Sequence, residues 1–417
     1  MEDNIMKKAI LVSIAERGSE VDECERSLDE LERLLNTAGG ECFAKIIQVK
    51  ESFDPRTCIG SGKVAEISEL CKANGISLVI FDFELTPAQI RNVENAIDYD
   101  VSVIDRSMLI LDIFALHAVS GDGKLQVELA QLRYSAPRLT GKGVDLSRQG
   151  GGIGSRGPGE SKLETDRRHL HERIVSLERR LAEMENNRKV MRSQRDRSGL
   201  TKVALVGYTN AGKSTLLNCL TGAGVLAEDK LFATLDPTTR KLELPSGESI
   251  LLTDTVGFIR KLPHHLVKAF KSTLDEVCYA DILLIVSDVN DPEVLEHLNV
   301  TKEVINELGA GDKPVIYVYN KCDMCEKTPV DFKMENSVFI SAAKNENVSQ
   351  LLEIIEKTIK LSKKECRLLV PYSEQSLINV IYKSYTVVSV DYVDEGAVVV
   401  ALLDSKGVGQ YSKYIID

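Results

Sequence analysis

Residues 207–214 read GYTNAGKS, which fits the pattern G-x-x-x-x-G-K-[ST]. An apolar run, KVALVG (202–207), precedes it, and TLLNCL (215–220) follows. A buried strand that ends in a glycine loop and restarts as a helix turns a row of backbone N–H groups inward, and such a row binds phosphate. Gly207 and Gly212 give the loop the backbone freedom this wrap demands. The context therefore predicts a strand–loop–helix unit and an open, mostly parallel α/β sheet. Gly207, Tyr208, Thr209, Asn210, Ala211, Gly212, Lys213, Ser214 and Thr215 are the candidate phosphate contacts. Lys213 would place a point charge beside the β and γ phosphates, and the Ser214 hydroxyl is a candidate Mg²⁺ ligand.

Three further motifs follow, each after an apolar run. DTVG (254–257) comes after ILL (250–252). Asp254 would hold the Mg²⁺ shell and the Gly257 N–H would touch the γ-phosphate, with Thr255 and Val256 between them. NKCD (320–323) comes after PVIYVY (314–319). The Asp323 carboxylate can accept from both N1–H and the N2 amine of guanine, and adenine has no such amine, so this residue selects GTP over ATP. Asn320 and Lys321 would brace the base and the phosphate loop, and Ser341 and Ala342, after SVFI, would close the base pocket with backbone N–H groups. Between the first two motifs lies LFATLDPTT (231–239). A mobile segment at this place supplies a hydroxyl to the metal and senses the γ-phosphate. Thr234 is the choice, with Thr238 and Thr239 as alternatives; Phe232, Ala233, Leu235 and Asp236 flank it.

Lys213, Thr234 and Gly257 are thus the candidate catalytic groups, and Ser214, Thr234 and Asp254 the candidate metal ligands. The residue after DTVG is Phe258, where familiar switches carry a glutamine that orients water. Slow intrinsic hydrolysis follows, with a partner needed to order the switches or to supply the missing group. The phenyl group also reads as a packing residue that anchors the second switch. Asn210 raises K⁺ beside Mg²⁺ as a second cation; the alternative is an asparagine bonded within its own loop.

The rest of the chain frames this unit. Residues 1–108 alternate buried strands, KAILVSI (8–14), ISLVIFDF (76–83) and VSVIDR (101–106), with amphipathic helices. Thr86, Pro87 and Gln89 form a capping box that starts one of them. A small parallel α/β domain is expected. Residues 109–197 read as an antiparallel helical hairpin. Leu125, Leu129 and Leu132 lie on one arm; Leu170, Ile174, Leu177, Leu181, Met184 and Met191 lie on the other, with Arg188 filling one seam position. Two unrelated amphipathic helices on one core are the alternative. The joining loop, 141–159, holds 8 of the 28 glycines, with Lys142, Arg148 and Arg156 against Asp145. Such a loop cannot bury a core. It reads either as a basic probe for folded RNA or as a solvated linker. Residues 198–362 make the nucleotide-binding domain, and 363–417 a small α+β module read as strand, helix (373–385), strand, strand.

Composition sets the outer bounds. The net charge of −11 argues against a general nucleic-acid coat. No apolar run reaches the roughly 18 residues of a membrane span. Nine cysteines without a disulfide-like framework, and an N-terminus without an apolar signal core, fit a reducing cytoplasm. Cys322 and Cys325 form a lone CxxC inside the base motif, so a metal site is not expected there.

Taken together these residues resemble the HflX family of translational GTPases, in the Obg–HflX group. The signatures are GSGKVAEI (60–67), LRYSAPRLTG (132–141), GGIGSRGPGESKLETDRR (151–168), FATLDPT (232–238) and DTVGFIRKLPHHLVKAFKSTL (254–274). The resemblance covers residues 7–361; the tail is similar more loosely. It implies a P-loop GTPase domain behind a small parallel α/β domain with a helical hairpin. It also implies a GTPase that engages the large ribosomal subunit and its RNA, and splits stalled or idle ribosomes under stress. Its basic loop residues Lys142, Arg148 and Arg156 would then meet RNA. A cytoplasmic monomer without a membrane segment is expected. A nucleotide-gated assembly or RNA-binding scaffold GTPase is the competing reading.

Overall fold

The structure, a computed structural model, describes residues 7–16, 20–139, 158–197, 199–222, 224, 231–232, 236–261, 263, 266, 271–325, 336–403 and 405–416. The chain divides into two compact units. The first is Met1–Met184 with Glu228–Asp236 and Arg260–Lys271; the second is Glu185–Ala227 with Pro237–Ile259 and Ser272–Asp417.

The first unit begins with β1 (Lys8–Ala15), α1 (Val21–Thr37), β2 (Glu41–Val49), α2 (Ser61–Asn74), β3 (Leu78–Phe81), α3 (Pro87–Ala96) and β4 (Ser102–Asp105). The strands form a parallel sheet in the order β2-β1-β3-β4. Its apolar core runs through Ile10, Val12, Val79, Phe81 and Val103. The capping box forms as read: Thr86 Oγ1 accepts the Gln89 N–H at 3.3 Å, and the Thr86 N–H donates to Gln89 Oε1 at 2.9 Å.

At the carboxyl end of β3, Asp82 is fully buried. A buried carboxylate needs charged or hydrogen-bonding partners. Arg106, itself buried, donates to it at 2.8 Å, and the Ser27 hydroxyl donates at 2.6 Å. The Lys261 ammonium lies 2.8 Å away. Arg106 also pairs with Glu30 and reaches the Arg260 carbonyl at 3.1 Å. Lys261 adopts φ +48, a conformation costly for a residue with a side chain.

The stretch expected as one arm of a hairpin is two helices, α4 (Arg106–His117) and α5 (Gly121–Leu139). The break falls at Ala118, which is extended, and Ser120, whose hydroxyl accepts the Gly123 N–H at 2.8 Å. The second arm is α6 (Pro158–Arg197). Leu125, Leu129 and Leu132 pack with Ile174, Leu177, Leu181 and Met184, the seam read from spacing. Gly121 approaches Met184, while Arg173 pairs with Glu128 at 2.6 Å, so the arms run antiparallel. The glycine-rich stretch through residue 157, with Lys142, Arg148 and Arg156, lies outside the described residues, as do the side chains of Met191 and Thr234.

The second unit contains β5 (Thr201–Val206), α7 (Lys213–Thr221), β6 (Thr238–Glu243), β7 (Ser249–Asp254), α8 (Lys271–Tyr279), β8 (Ile282–Asp288), α9 (Val294–Glu307), β9 (Val315–Asn320), β10 (Ser337–Phe339) and α10 (Val348–Ser362). Its sheet order is β10-β9-β8-β5-β7-β6, parallel except for β6. Near-continuous apolar strands such as ILLIVSD, buried along six of seven residues, are what a sheet covered on both faces requires. The tail folds as β11 (Lys364–Pro371), α11 (Ser376–Ser384), β12 (Thr386–Val393) and β13 (Gly396–Leu403), as read. It adds α12 (Ser405–Gln410) and β14 (Ile415–Ile416), which completes an antiparallel sheet ordered β12-β13-β11-β14. Among the described residues no helix is long and apolar enough to cross a membrane.

Candidate nucleotide-binding site

The four motifs emerge at the carboxyl ends of β5, β7 and β9 and just beyond β10, one edge of one sheet. This is where open α/β sheets bind ligands. Gly207 follows β5 with φ +146, and a β-carbon there would stand 2.1 Å from the Val286 carbonyl oxygen. Gly212 has φ +91, and its β-carbon would meet Asn320 Nδ2 at 2.2 Å. Both glycines are therefore forced by space as well as by backbone angle.

Lys213 is buried and folds back over the loop, donating to the Gly207 carbonyl at 3.1 Å and the Tyr208 carbonyl at 2.8 Å. Burial pushes its ammonium down to about 8, with Asp254 pulling the other way. Ser214 donates its hydroxyl to Asp254 Oδ2 at 2.6 Å. The other Asp254 oxygen is buried without a hydrogen-bond partner among the described residues, and burial raises the carboxyl's affinity for a proton. A hydroxyl beside a carboxylate with one unengaged oxygen is a donor pair suited to a hard divalent cation. Thr255 turns inward and bonds the Leu205 carbonyl at 2.6 Å.

Gly257 sits hard against the phosphate loop: a β-carbon would stand 2.8 Å from Thr209 Cα and 2.9 Å from Lys213 Nζ. The next residue, Phe258, is fully buried. Its N–H donates to the Gly207 carbonyl at 3.0 Å, and its carbonyl accepts the Thr209 N–H at 2.8 Å. The segment after β7 is thereby stitched to the phosphate loop as a short parallel bridge.

At the base end, Asn320 is buried; it donates to the Ala211 carbonyl at 2.9 Å and accepts the Ala342 N–H at 3.0 Å. Lys321, with φ +64, pairs with Asp288 at 2.8 Å. Asp323 lies 3.3 Å from the Lys344 ammonium. The Ser341 hydrogen bond, and then Lys344, hold its carboxyl below the usual carboxylate range. Ser341 is fully buried.

The structure thus brings together Gly207 to Thr215, Asp254 to Gly257, Asn320, Lys321, Asp323, Ser341 and Ala342. Asn210 takes φ +61 in this loop. Ala233, Thr234 and Leu235 lie outside the described residues. Phe232 and Asp236 are placed within the first unit. The Phe232 ring meets Phe114 edge-on at 4.7 Å, with φ +59. Asp236 accepts the Val119 and Ser120 N–H groups at 3.1 and 2.7 Å and bonds the Ser120 hydroxyl.

Three partners escaped the sequence reading. Asp288 could have been found, since it ends a strand in register with Asn320. Lys344 and His297, whose ring stacks on Tyr208 at 3.7 Å, carried no signal.

This geometry agrees with the comparisons. Residues 25–115 match the family described as GTP-binding GTPase N-terminal, 117–195 its middle region, and 202–321 the 50S ribosome-binding GTPase family. A GTPase HflX of Lacrimispora saccharolytica is 48% identical over 96% of this chain and 95% of its own. The chain belongs to the HflX family of GTPases. Another HflX, from Escherichia coli, is 45% identical over 83% of this chain and 84% of its own. A solved GTP-binding protein of Sulfolobus solfataricus, in complex with GDP, is 25% identical with a TM-score of 0.43, covering 86% of this chain and all of that one. Membership in the HflX family makes this a GTP-binding protein of α/β fold, and the P-loop GTPase fold implies a divalent metal.

Proposed function

We propose that this chain hydrolyses GTP on the large ribosomal subunit and uses the cycle to split or recycle stalled or idle ribosomes in the stressed cytoplasm. The observation that carries the reading is the convergence of four nucleotide motifs on one sheet edge, in a domain that matches the 50S ribosome-binding GTPase family. In this account Gly207 to Thr215 wrap the phosphates, and Lys213 swings from its two carbonyls to the β and γ oxygens. Ser214 and Asp254 hold Mg²⁺, with Thr234 completing the shell in the GTP state. Gly257 offers its N–H to the γ-phosphate. Asp323 reads guanine, while Asn320, Lys321, Ser341 and Ala342 shape the base pocket. Phe232 to Asp236 and Asp254 to Gly257 are the switches.

Mg²⁺ fits because the unengaged Asp254 oxygen and the Ser214 hydroxyl are both hard donors. When bound it neutralises charge between the β and γ phosphates. Asn210 is the proposed K⁺ ligand; equal turnover in KCl and NaCl would remove it. Lys142, Arg148 and Arg156 are the proposed RNA contacts. The decisive experiment is sedimentation with large subunits in GDP and in a non-hydrolysable GTP analogue, paired with GTP turnover with and without ribosomes. Analogue-dependent co-sedimentation and ribosome-stimulated turnover are expected. Docking without any stimulated turnover would return the scaffold reading.

A further inference from the structure

The stretch DPEVLEH (291–297) opens α9 and plays no part in the nucleotide motifs. Asp291 lies in the turn before the helix and accepts the Glu293 N–H at 2.9 Å. Glu293 is the N-cap residue, yet its side chain makes no capping hydrogen bond. His297 falls four residues after Glu293 and so shares its face of the helix. One ligand atom from each of Asp291, Glu293 and His297 lies within 4.8 Å of the other two, the one such group of acids, histidines and cysteines among the described residues.

The His297 side chain is only 10% exposed. Its Nδ1 stands 3.3 Å from an Asp291 oxygen and its Nε2 4.0 Å from a Glu293 oxygen. A charge-assisted hydrogen bond would close to about 2.7–2.9 Å. The ring therefore faces two carboxylates without closing on either. Ions held at about 2.0–2.2 Å by nitrogen and oxygen ligands space those ligands roughly 3–4 Å apart. The two carboxylates face different ring nitrogens, and one ion takes only one of them. With one ligand atom from each residue the trio lies within 4.8 Å, so a small inward movement of the carboxylates brings it to that spacing. Its ring plane is fixed from outside: the His297 and Tyr208 rings stack at 3.7 Å with planes 13° apart.

We propose that Asp291, Glu293 and His297 bind one divalent first-row transition-metal cation of the Zn²⁺ or Co²⁺ type, and that its occupancy is felt in the phosphate loop through Tyr208. The imidazole selects against Mg²⁺ and Ca²⁺, which take oxygen ligands. Tyr208 belongs to the loop itself, and its carbonyl accepts the Lys213 ammonium at 2.8 Å. An ion that fixes the His297 ring fixes the surface on which Tyr208 rests. Coupling of this kind is reciprocal, so nucleotide and metal change each other's affinity by the same factor.

The test uses the full chain, stripped by a chelator and held in excess Mg²⁺. Co²⁺ and Zn²⁺ are titrated against a chromophoric chelator, and the absorption edge of the bound metal is recorded. One equivalent should bind, in a nitrogen and oxygen shell. Glu293→Gln and Asp291→Asn should each weaken it by about tenfold or more. His297→Asn should abolish it. Should that variant fail to fold, the two carboxylate variants decide, because they leave the buried ring in place. A sulfur shell drawn from the cysteines, undiminished binding in both carboxylate variants, or no binding beyond Mg²⁺ would overturn the site. Equal GDP affinity with and without the ion would overturn the link through Tyr208.

Discussion

Phe258 donates its backbone N–H to the Gly207 carbonyl at 3.0 Å while its ring is fully buried. The residue that replaces the usual glutamine is therefore tied by its backbone to the phosphate loop and turned inward. Phe258→Gln should not raise unstimulated GTP hydrolysis, because a side chain leaving this backbone points into the interior. Catalytic placement tolerates only about 0.5 Å of error. Single-turnover assays with and without large subunits check this. A rise of about tenfold, or 1.4 kcal/mol of barrier, in the unstimulated rate would show that the glutamine was the whole deficit.

Asp323→Asn replaces an acceptor with a donor on the side facing the base. GTP affinity should fall by about 1.5–3 kcal/mol, and xanthosine triphosphate, whose C2 carries a carbonyl, should gain. Competition against a fluorescent guanine nucleotide measures both. Undiminished GTP binding would mean that Asp323 does not read the base.

Lys213 gives a pH signature. Its ammonium titrates near 8 in the folded, nucleotide-free chain, against 10.5 for an ordinary lysine. Between those values the unfolded chain holds more protons, so stability of the free protein should rise with pH through this window. Phosphates favour the ammonium, so nucleotide binding near pH 8 should take up protons, and affinity should fall above it. Calorimetry in buffers of different ionisation enthalpy reads the uptake. It should vanish in Lys213→Arg, whose charge is permanent.

Asp82→Ala leaves the buried Arg106 guanidinium with only one of its two carboxylate partners, Glu30. Removing one partner of a buried pair costs about 3–5 kcal/mol. Urea unfolding of the first unit's signal should show that loss. A change below 1 kcal/mol would mean Glu30 alone satisfies Arg106.

The basic loop makes a claim about salt. Lys142, Arg148 and Arg156 changed together to alanine should leave nucleotide binding intact and weaken ribosome docking. Each lost phosphate contact should flatten the log–log salt slope by about 0.7–0.9. An unchanged slope would leave the loop a linker.

The placement of the candidate nucleotide motifs was largely legible because their residues are dictated locally. Gly207 and Gly212 are the only kind of residue their angles and neighbours permit, and each motif follows a strand whose apolar run announces it. Thr86 and Gln89 were legible for the same reason, since a capping box spans four residues. The break at Ala118 and Ser120 was missed although Ser120, Gly121 and Gly123 mark it, because the leucine spacing on either side was read as one arm. The local cap of Ser120 on Gly123 opens α5, and Asp236, more than a hundred residues away, takes up the Val119 and Ser120 N–H groups at the break. The stacking of His297 on Tyr208 is equally long-range, and no spacing rule encodes it. The closing strand β14 has two residues, too few to show a period.

Asn320 spans the distance between the loop proposed to meet phosphate, at Ala211, and the turn proposed to meet the base, at Ala342. In the proposed site the two ends of the nucleotide would thus be received by parts held at a set separation by one amide. Guanosine and pyrophosphate offered as separate fragments would each forfeit that arrangement and pay their own loss of translational freedom. Joined, they pay it once. The intact nucleotide should then outbind the product of its fragments' affinities, and Asn320→Ala should shrink that chelate advantage more than it weakens either fragment alone.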